Sequence, residues 1–360
     1  MTADPRRNLQ QLAFSRCVPV NATIEVTLRC NLKCVHCYNF DRAQPLPIAR
    51  AAAELSGAEI VDAIDQLAAA GALFLTFTGG EALLHPQIYE FVRHAVARRF
   101  SVAVKTNGMH LVDRARALRD AGCGRVDVSV YGASAATHDA FTLAPGSFDR
   151  TVAGVRAALD VGMRVHLNLC LVRTNAHEVA DMVALAQELG VGCGIDPQIT
   201  RRYDGTDEPL DLRVDRDTLR ALYRGPLAPF LSAASCSRDA APQCSCARSV
   251  VAIASNGDVY PCIGAPIRAG NLREQSFADI WASSPVFERI RGLRLADFAA
   301  CAPCPDRPWC RRSSGVVYVN TGDYTGPESW TCMEASVLRE IAQERAAASA
   351  SAAPAGEGAR

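Results

Sequence analysis

The stretch Cys30-Asn-Leu-Lys-Cys34-Val-His-Cys37 places three thiols within eight residues, spaced CxxxCxxC, just after the strand-like run Thr23-Ile-Glu-Val-Thr-Leu-Arg29. A loop this short can wrap three thiolates around one soft metal centre. Thiolates are the usual ligands of iron–sulfur clusters, and three protein ligands on a four-iron cluster leave one iron free for chemistry. The competing reading is a structural zinc loop. Zinc knuckles and ribbons use CxxC pairs and four ligands, which this triplet fits poorly.

Outward from the triplet the chain alternates. Asp41-Arg-Ala-Gln-Pro-Leu-Pro47 reads as a linker by its prolines. Ser56 and Glu59 make a capping box for a helix that Gly71 ends. Strands are expected at 73–78, 101–106, 125–130, 164–172 and 194–199, and helices at 87–99, 112–121, 148–161 and 176–189. With the strand at 23–29 this gives six β/α steps, hence a parallel sheet with right-handed crossovers. Periodicity alone does not separate a partial barrel from a doubly wound sheet. Ligands of such sheets bind at the carboxyl ends of the strands. The triplet falls there, and so do Thr78-Gly79-Gly80-Glu81, Thr106-Asn107-Gly108, and Ser129 before Tyr131-Gly132. Each signal alone reads as turn chemistry; on one rim they converge.

The triplet with this rim resembles the radical S-adenosylmethionine (SAM) enzymes. The resemblance implies an α/β fold, a partial (β/α)6 barrel, with a [4Fe–4S] cluster on Cys30, Cys34 and Cys37 whose free iron chelates SAM. It implies reductive cleavage of SAM to a 5′-deoxyadenosyl radical, which abstracts hydrogen from substrate. His36 holds the place where the family favours an aromatic residue against the adenine. Gly79-Gly80-Glu81 is similar to the motif that holds the SAM amino group, with glycines for close approach and a carboxylate suited to an ammonium. Ala82 stands where the family usually has proline. Asn107 and Ser129 match positions that contact the SAM ribose and carboxylate. The segment from His138-Asp139 to Gly146-Ser147-Phe148 resembles one in related maturases. Thr142 replaces their arginine, so it implies no SAM contact, and Ser147 is read as a helix cap.

A second group of cysteines follows: Cys236, Cys244, Cys246, Cys262, Cys301, Cys304, Cys310 and Cys332. Between them Val250 to Pro261 reads as a hairpin turning at Asn256-Gly257, with Cys246 and Cys262 at its two ends so that they can meet at one metal. The spacing resembles the SPASM domain, a small Cys-rich auxiliary extension of radical SAM enzymes that mature peptides. The resemblance implies one or two auxiliary Fe–S clusters. Cys301, Cys304, Cys310 and Cys332 would hold the second. The first would use Cys246 and Cys262, but the cysteine expected next is Ser314. Serine is a harder and less acidic ligand than a thiol. That centre is therefore expected to recruit Cys244, with Cys236 a further candidate, to keep an open iron, or to have been lost.

Composition sets the bounds. The chain has 360 residues, 49% hydrophobic, with 38 basic and 38 acidic side chains, so no net field recruits nucleic acid or membrane. No apolar run reaches spanning length and no signal-peptide core is visible, so a cytoplasmic protein is expected. Disulfides are then not expected among the fifteen cysteines: eleven fall in the two groups, and Cys17, Cys123, Cys170 and Cys193 are read as structural. The expected layout is an N-terminal extension (1–20), the barrel (21–200), a bridge (201–235), the auxiliary domain (236–340) and a disordered tail (341–360). The expected function is radical modification of a ribosomally made peptide. The alternatives are a small-molecule substrate (a sugar, an antibiotic or a cofactor precursor) and a non-enzymatic zinc or Fe–S module. Expected partners are a flavodoxin or ferredoxin reductase and, since no peptide-binding winged helix is visible before Thr23, a separate precursor-recognition protein. No catalytic acid or base stands out.

Overall fold

The computed structural model describes residues 5–231 and 244–352. Helix α1 (Pro5–Arg16) precedes strand β1 (Asn21–Glu25), and α2 (Ile48–Ala52) and α3 (Gly57–Ala69) lead to β2 (Phe74–Thr78). Then come α4 (Ile88–Ala97), β3 (Ser101–Thr106), α5 (Leu111–Asp120), β4 (Arg125–Val130), α6 (Ala135–Thr142), α7 (Ser147–Asp160), β5 (Arg164–Cys170), α8 (Val179–Glu188) and β6 (Gly192–Asp196). The bridge contains α9 (Arg216–Arg224). The C-terminal part adds β7 (Val250–Ile253), β8 (Asp258–Tyr260), β9 (Gly270–Asn271), α10 (Phe277–Ser283), α11 (Pro285–Gly292), α12 (Ser314–Thr321) and α13 (Ser329–Ala352).

Local chemistry explains these elements. The Ser56–Glu59 capping box opens α3 as expected. Asp139, not Ser147, caps α7: its carboxylate accepts the Gly146 and Phe148 amides, and the Ser147 hydroxyl donates to it at 2.8 Å. Along the strands the side chains alternate between faces. Val102 and Val104, or Val165, Leu167 and Leu169, are buried in the core. Lys105, Asn168 and Cys170 lie on the opposite face and line a cavity.

Strands β1 to β6 pair in parallel in chain order, and the sheet does not close. The small Cys-rich part with its hairpin follows the barrel as expected, and it shares the barrel's sheet. Strand β7 pairs in parallel with β1, Asn21 opposite Val250, and β8 and β9 continue antiparallel, giving one nine-stranded sheet in the order β6-β5-β4-β3-β2-β1-β7-β8-β9. Without β7 the outer backbone of β1 would be an unpaired edge. The turn between β7 and β8 places Gly257 at φ +86°, a left-handed conformation that glycine adopts freely. Helix α1 docks on the C-terminal part, with Arg248 stacked over Phe14 and the Trp281 indole donating to the Cys17 carbonyl at 2.8 Å.

Helix α13 continues to Ala352, into the stretch expected as a tail. Its Ala-rich composition is the best intrinsic helix former. Its first half packs on α9 through Trp330, Val337 and Ile341, and Arg220 and Arg224 pair with Glu344. The candidate ligand Cys236 lies outside the described residues.

Candidate active site

The carboxyl ends of the strands converge on a cavity of about 540 Å³ lined by Cys30, Cys34 and Cys37, by Gly79 and Gly80, and by Asn107 and Ser129. The cluster loop is pinned from several sides. Lys33 and Val35 amides bond to the carbonyls of Thr142 and Phe141 at the end of α6, and a turn joins Cys37 N to Cys34 O at 3.2 Å. Burial pushes the Cys30 and Cys34 thiols up, and neighbouring sulfurs of the loop raise both further, Cys37 acting on Cys30, and Cys30 and Cys37 on Cys34. Iron binding would release those protons. Three thiols converging from one short loop onto the cavity make the soft donor set that an iron–sulfur cluster takes.

Arg42 is a site residue that the sequence reading missed. Its Nε donates to Cys37 Sγ at 3.0 Å, another guanidinium nitrogen bonds the Leu28 carbonyl, and the group stacks on Phe40. It supplies a cation beside the cluster thiolates. A linker position carries no periodicity that could have marked it.

His36 packs against Tyr131 and Phe141, with ring centroids 5.1 and 4.7 Å away. Burial pushes its imidazole down to about 4, so the ring is neutral at pH 7. Its Nδ1 is buried without a hydrogen-bond partner, a polar atom that a bound nucleobase would satisfy. Asn107 ties the rim to the cluster loop: its Nδ2 donates to Asn31 Oδ1 at 2.8 Å, and its Oδ1 accepts Met109 N.

The glycines act on the backbone. The Gly80 and Glu81 amides bond to the Thr27 and Arg29 carbonyls at 2.7 and 2.8 Å, extending the β1–β2 pairing past the strands. A Cβ at Gly79 would lie 2.3 Å from Thr27 O, and one at Gly80 would lie 2.3 Å from Arg29 O. Only glycine permits that approach. The structure places Glu81 differently from the expectation of an ammonium contact. It does not line the cavity, and its carboxylate accepts Leu83 N at 3.0 Å, Thr106 Oγ1 at 2.8 Å and Asn107 N at 2.7 Å. It anchors the rim on which a ligand would sit.

Opposite the cluster loop the cavity meets Lys105, Asn168, Cys170 and Asp196. Cys170, read from sequence as structural, thus faces the cavity. Burial raises the Asp196 carboxyl, and Lys105 partly offsets this. Ile263, Gly264 and Val316 of the C-terminal part close another wall. Tyr203 of the bridge joins the two, its amide bonded to Tyr38 O and its hydroxyl to Ile263 O.

The C-terminal cysteines form two groups. Cys301, Cys304, Cys310 and Cys332 lie within electrostatic reach of one another, beside Arg312. Cys244, Cys246 and Cys262 meet at the base of the β7–β8 hairpin, with 2.9 Å between the Cys244 and Cys246 sulfurs.

Residues 24–186 match the Radical SAM superfamily, and residues 244–306 match the SPASM family, an iron-sulfur cluster-binding domain. An AdoMet-dependent heme synthase of Methanosarcina barkeri is 30% identical over 335 residues, covering 85% of this chain and 94% of that protein. The mycofactocin maturase MftC of Mycobacterium tuberculosis is 28% identical over 366 residues, covering 96% and 90%. Among solved structures, Streptococcus suis SuiB bound to precursor peptide SuiA superposes with a TM-score of 0.65 at 16% identity, covering 92% of this chain and 82% of that one. With its cysteine triplet, glycine-lined rim and second set of cysteines accounted for, the chain belongs to the radical SAM superfamily, as an enzyme that binds SAM on a [4Fe–4S] cluster and carries an auxiliary Fe–S domain.

Proposed function

We propose that this enzyme modifies a ribosomally made peptide at an unactivated C–H bond. The observation that carries the reading is the cavity itself. It runs from the cysteine triplet to Ile263, Gly264 and Val316, so a substrate would lie between the SAM site and the auxiliary centres. Its size is on the scale of small-ligand sites, roughly 300–1,000 Å³, which admits SAM and a side chain or two rather than a folded partner.

When bound, the cluster and SAM supply a 5′-deoxyadenosyl radical able to abstract hydrogen. The chain's own residues do the rest. Cys30, Cys34 and Cys37 hold the cluster, and Arg42 balances its charge. His36 offers a neutral ring for the adenine, Gly79 and Gly80 let their backbone approach the SAM amino group, and Asn107 and Ser129 meet its ribose and carboxylate. Asp196 Oδ accepts the proton lost when the substrate radical is oxidised. Cys301, Cys304, Cys310 and Cys332, with the group at Cys244, Cys246 and Cys262, would hold auxiliary centres, which supply an electron acceptor when bound. A flavodoxin or ferredoxin delivers the priming electron, a separate protein presents the precursor, and the thiol-rich chain works in the reducing cytoplasm.

A second reading is favoured by the heme synthase relative: a porphyrin-type small molecule, whose carboxylates Lys105 would meet in the cavity. Anaerobic turnover with dithionite and SAM separates the two. Stimulation of 5′-deoxyadenosine formation by a candidate precursor peptide with its recognition protein, with a mass change in the peptide, supports the first reading. Stimulation by a porphyrin carboxylate alone supports the second.

A further inference from the structure

We propose that the first auxiliary centre is a four-iron cluster held by Cys244, Cys246 and Cys262, with its fourth iron bound by an oxygen, Ser314 Oγ, to which the Tyr324 hydroxyl donates a hydrogen bond. This rests on the reading that the C-terminal cysteines hold clusters. It goes beyond that reading in naming the ligand set.

The hairpin brings two of the thiols together. Cys246 precedes β7 and Cys262 follows β8, and the Ala247 amide bonds to the Pro261 carbonyl at 3.1 Å, tying the hairpin ends. Cys244 joins them through its contact with Cys246. Helix α12 starts beside this group. A Cβ at Gly315 would lie 2.5 Å from the Gly264 carbonyl, so the first turn of α12 sits directly on the segment leaving Cys262.

Ser314 opens that turn and is fully buried, yet its hydroxyl makes no hydrogen bond. Tyr324 is 7% exposed, and its hydroxyl lies beside Ser314 Oγ and the Cys244 sulfur without a well-formed bond to either. Buried hydroxyls are normally paired, so two hydroxyls left this way beside three thiols call for a bound group. The Ser314 amide points at the Cys244 sulfur, and Tyr324 lies within electrostatic reach of Cys244, Cys246 and Cys262.

Three thiolates and one oxygen make a donor set for four irons, since iron accepts both sulfur and oxygen ligands. Ligation forms an Fe–O bond and breaks the Ser314 O–H bond, and the proton leaves to solvent as in other metal-linked deprotonations. The amides of the first turn of α12 favour the resulting anion. A hard, anionic oxygen makes this centre harder to reduce than one held by four thiolates.

The test uses the full chain with Cys30, Cys34 and Cys37 replaced by Ala, reconstituted anaerobically, so that only auxiliary iron is counted. About eight irons are expected, with one Mössbauer component in the first centre more ionic than the rest. Ser314→Cys should convert that component to an ordinary thiolate-bound iron and raise the centre's potential. Tyr324→Phe should lower the potential further while keeping the iron count, because the oxygen loses the hydrogen bond that draws its charge away from iron. About four irons would mean the first centre is empty and would overturn the proposal. So would thiolate-like irons throughout the wild type, or Ser314→Cys and Ser314→Ala spectra indistinguishable from it. The Cys301/Cys304/Cys310/Cys332 signal reports folding within every variant. Formation of 5′-deoxyadenosine by the chain with its triplet intact tests the radical chemistry separately.

Discussion

Replacing Glu81 with Gln asks what this carboxylate does. It is 1% exposed and satisfies three donors: Leu83 N and Thr106 Oγ1 on Oε1, and Asn107 N on Oε2. Gln retains one acceptor oxygen. Set at the Oε1 position, that oxygen keeps two of the bonds and turns the amide NH2 toward the Asn107 N–H, donor against donor. One buried amide then loses a charge-assisted bond without replacement, a cost of about 1–3 kcal/mol. At roughly 2–4 °C per kcal/mol for domains of 150–250 residues, the melting midpoint should fall by a few degrees in the absence of SAM. SAM affinity should weaken as well, because Asn107 is no longer held. Calorimetry of the anaerobically purified protein, with SAM titrated against the cluster's EPR signal, reads both quantities. An unchanged midpoint with weakened SAM binding would refute the reasoning and put the carboxylate on the SAM ammonium after all.

Cys34→Ala should abolish 5′-deoxyadenosine formation under dithionite and SAM, and combining it with Cys170→Ala checks that this thiol of the same cavity does not take its place; product equal to wild type from both variants would exclude Cys34 as a ligand. Arg42→Gln removes a cation and a hydrogen bond from the Cys37 sulfur, so the cluster's EPR-monitored midpoint should move to more negative potential. Asp196→Asn should leave SAM cleavage intact but stall product formation, visible as 5′-deoxyadenosine formed in excess of modified substrate. Arg273 and Glu59 link α3 to the C-terminal part, and Arg273 first and the Ser56 amide second hold the Glu59 carboxyl down to about 2. Because the folded value lies below the unfolded one of about 4.3, this stabilisation is fully present above pH ~5 and is lost as pH falls toward 2. The pair is partly exposed, so the effect should stay under about 1 kcal/mol; in urea denaturation the gap between Arg273→Ala and wild type should be widest at pH 7, narrow by about half near pH 3 and close toward pH ~2.

What was legible in the sequence was local. The Ser56–Glu59 box, the Asn256-Gly257 turn and the glycines at 79 and 80 each state their geometry in adjacent residues, and six strands could be placed by period. The Gly79-Gly80-Glu81 stretch also shows the limit. Its composition indicates a tight rim but not the direction in which Glu81 points, which Thr106 and Asn107 decide from another strand. Arg42, Tyr203 and Asp196 act from loops or strand ends, where no periodicity marks them. The tail looked disordered because its residues are small and repetitive. Alanine is a poor core former but a good helix former, and α9 supplies the arginines that hold Glu344. The pairing of β7 with β1 had no local signature.

That pairing governs how the protein comes into being. Strand β1 is made early, but its partner Val250–Ile253 emerges about 230 residues later. Contacts that distant in sequence form slowly, because the chain must close a long loop before the strand is rewarded. Until then a nascent chain carries a bare parallel edge beside the residues that lead to Cys30, Cys34 and Cys37, a template for misassociation just where oxidation would do most harm. A fragment ending in the bridge would keep that edge permanently and should precipitate rather than fold. The auxiliary part is thus the piece that completes the catalytic one, and the two arise as a single cooperative unit rather than as successive modules.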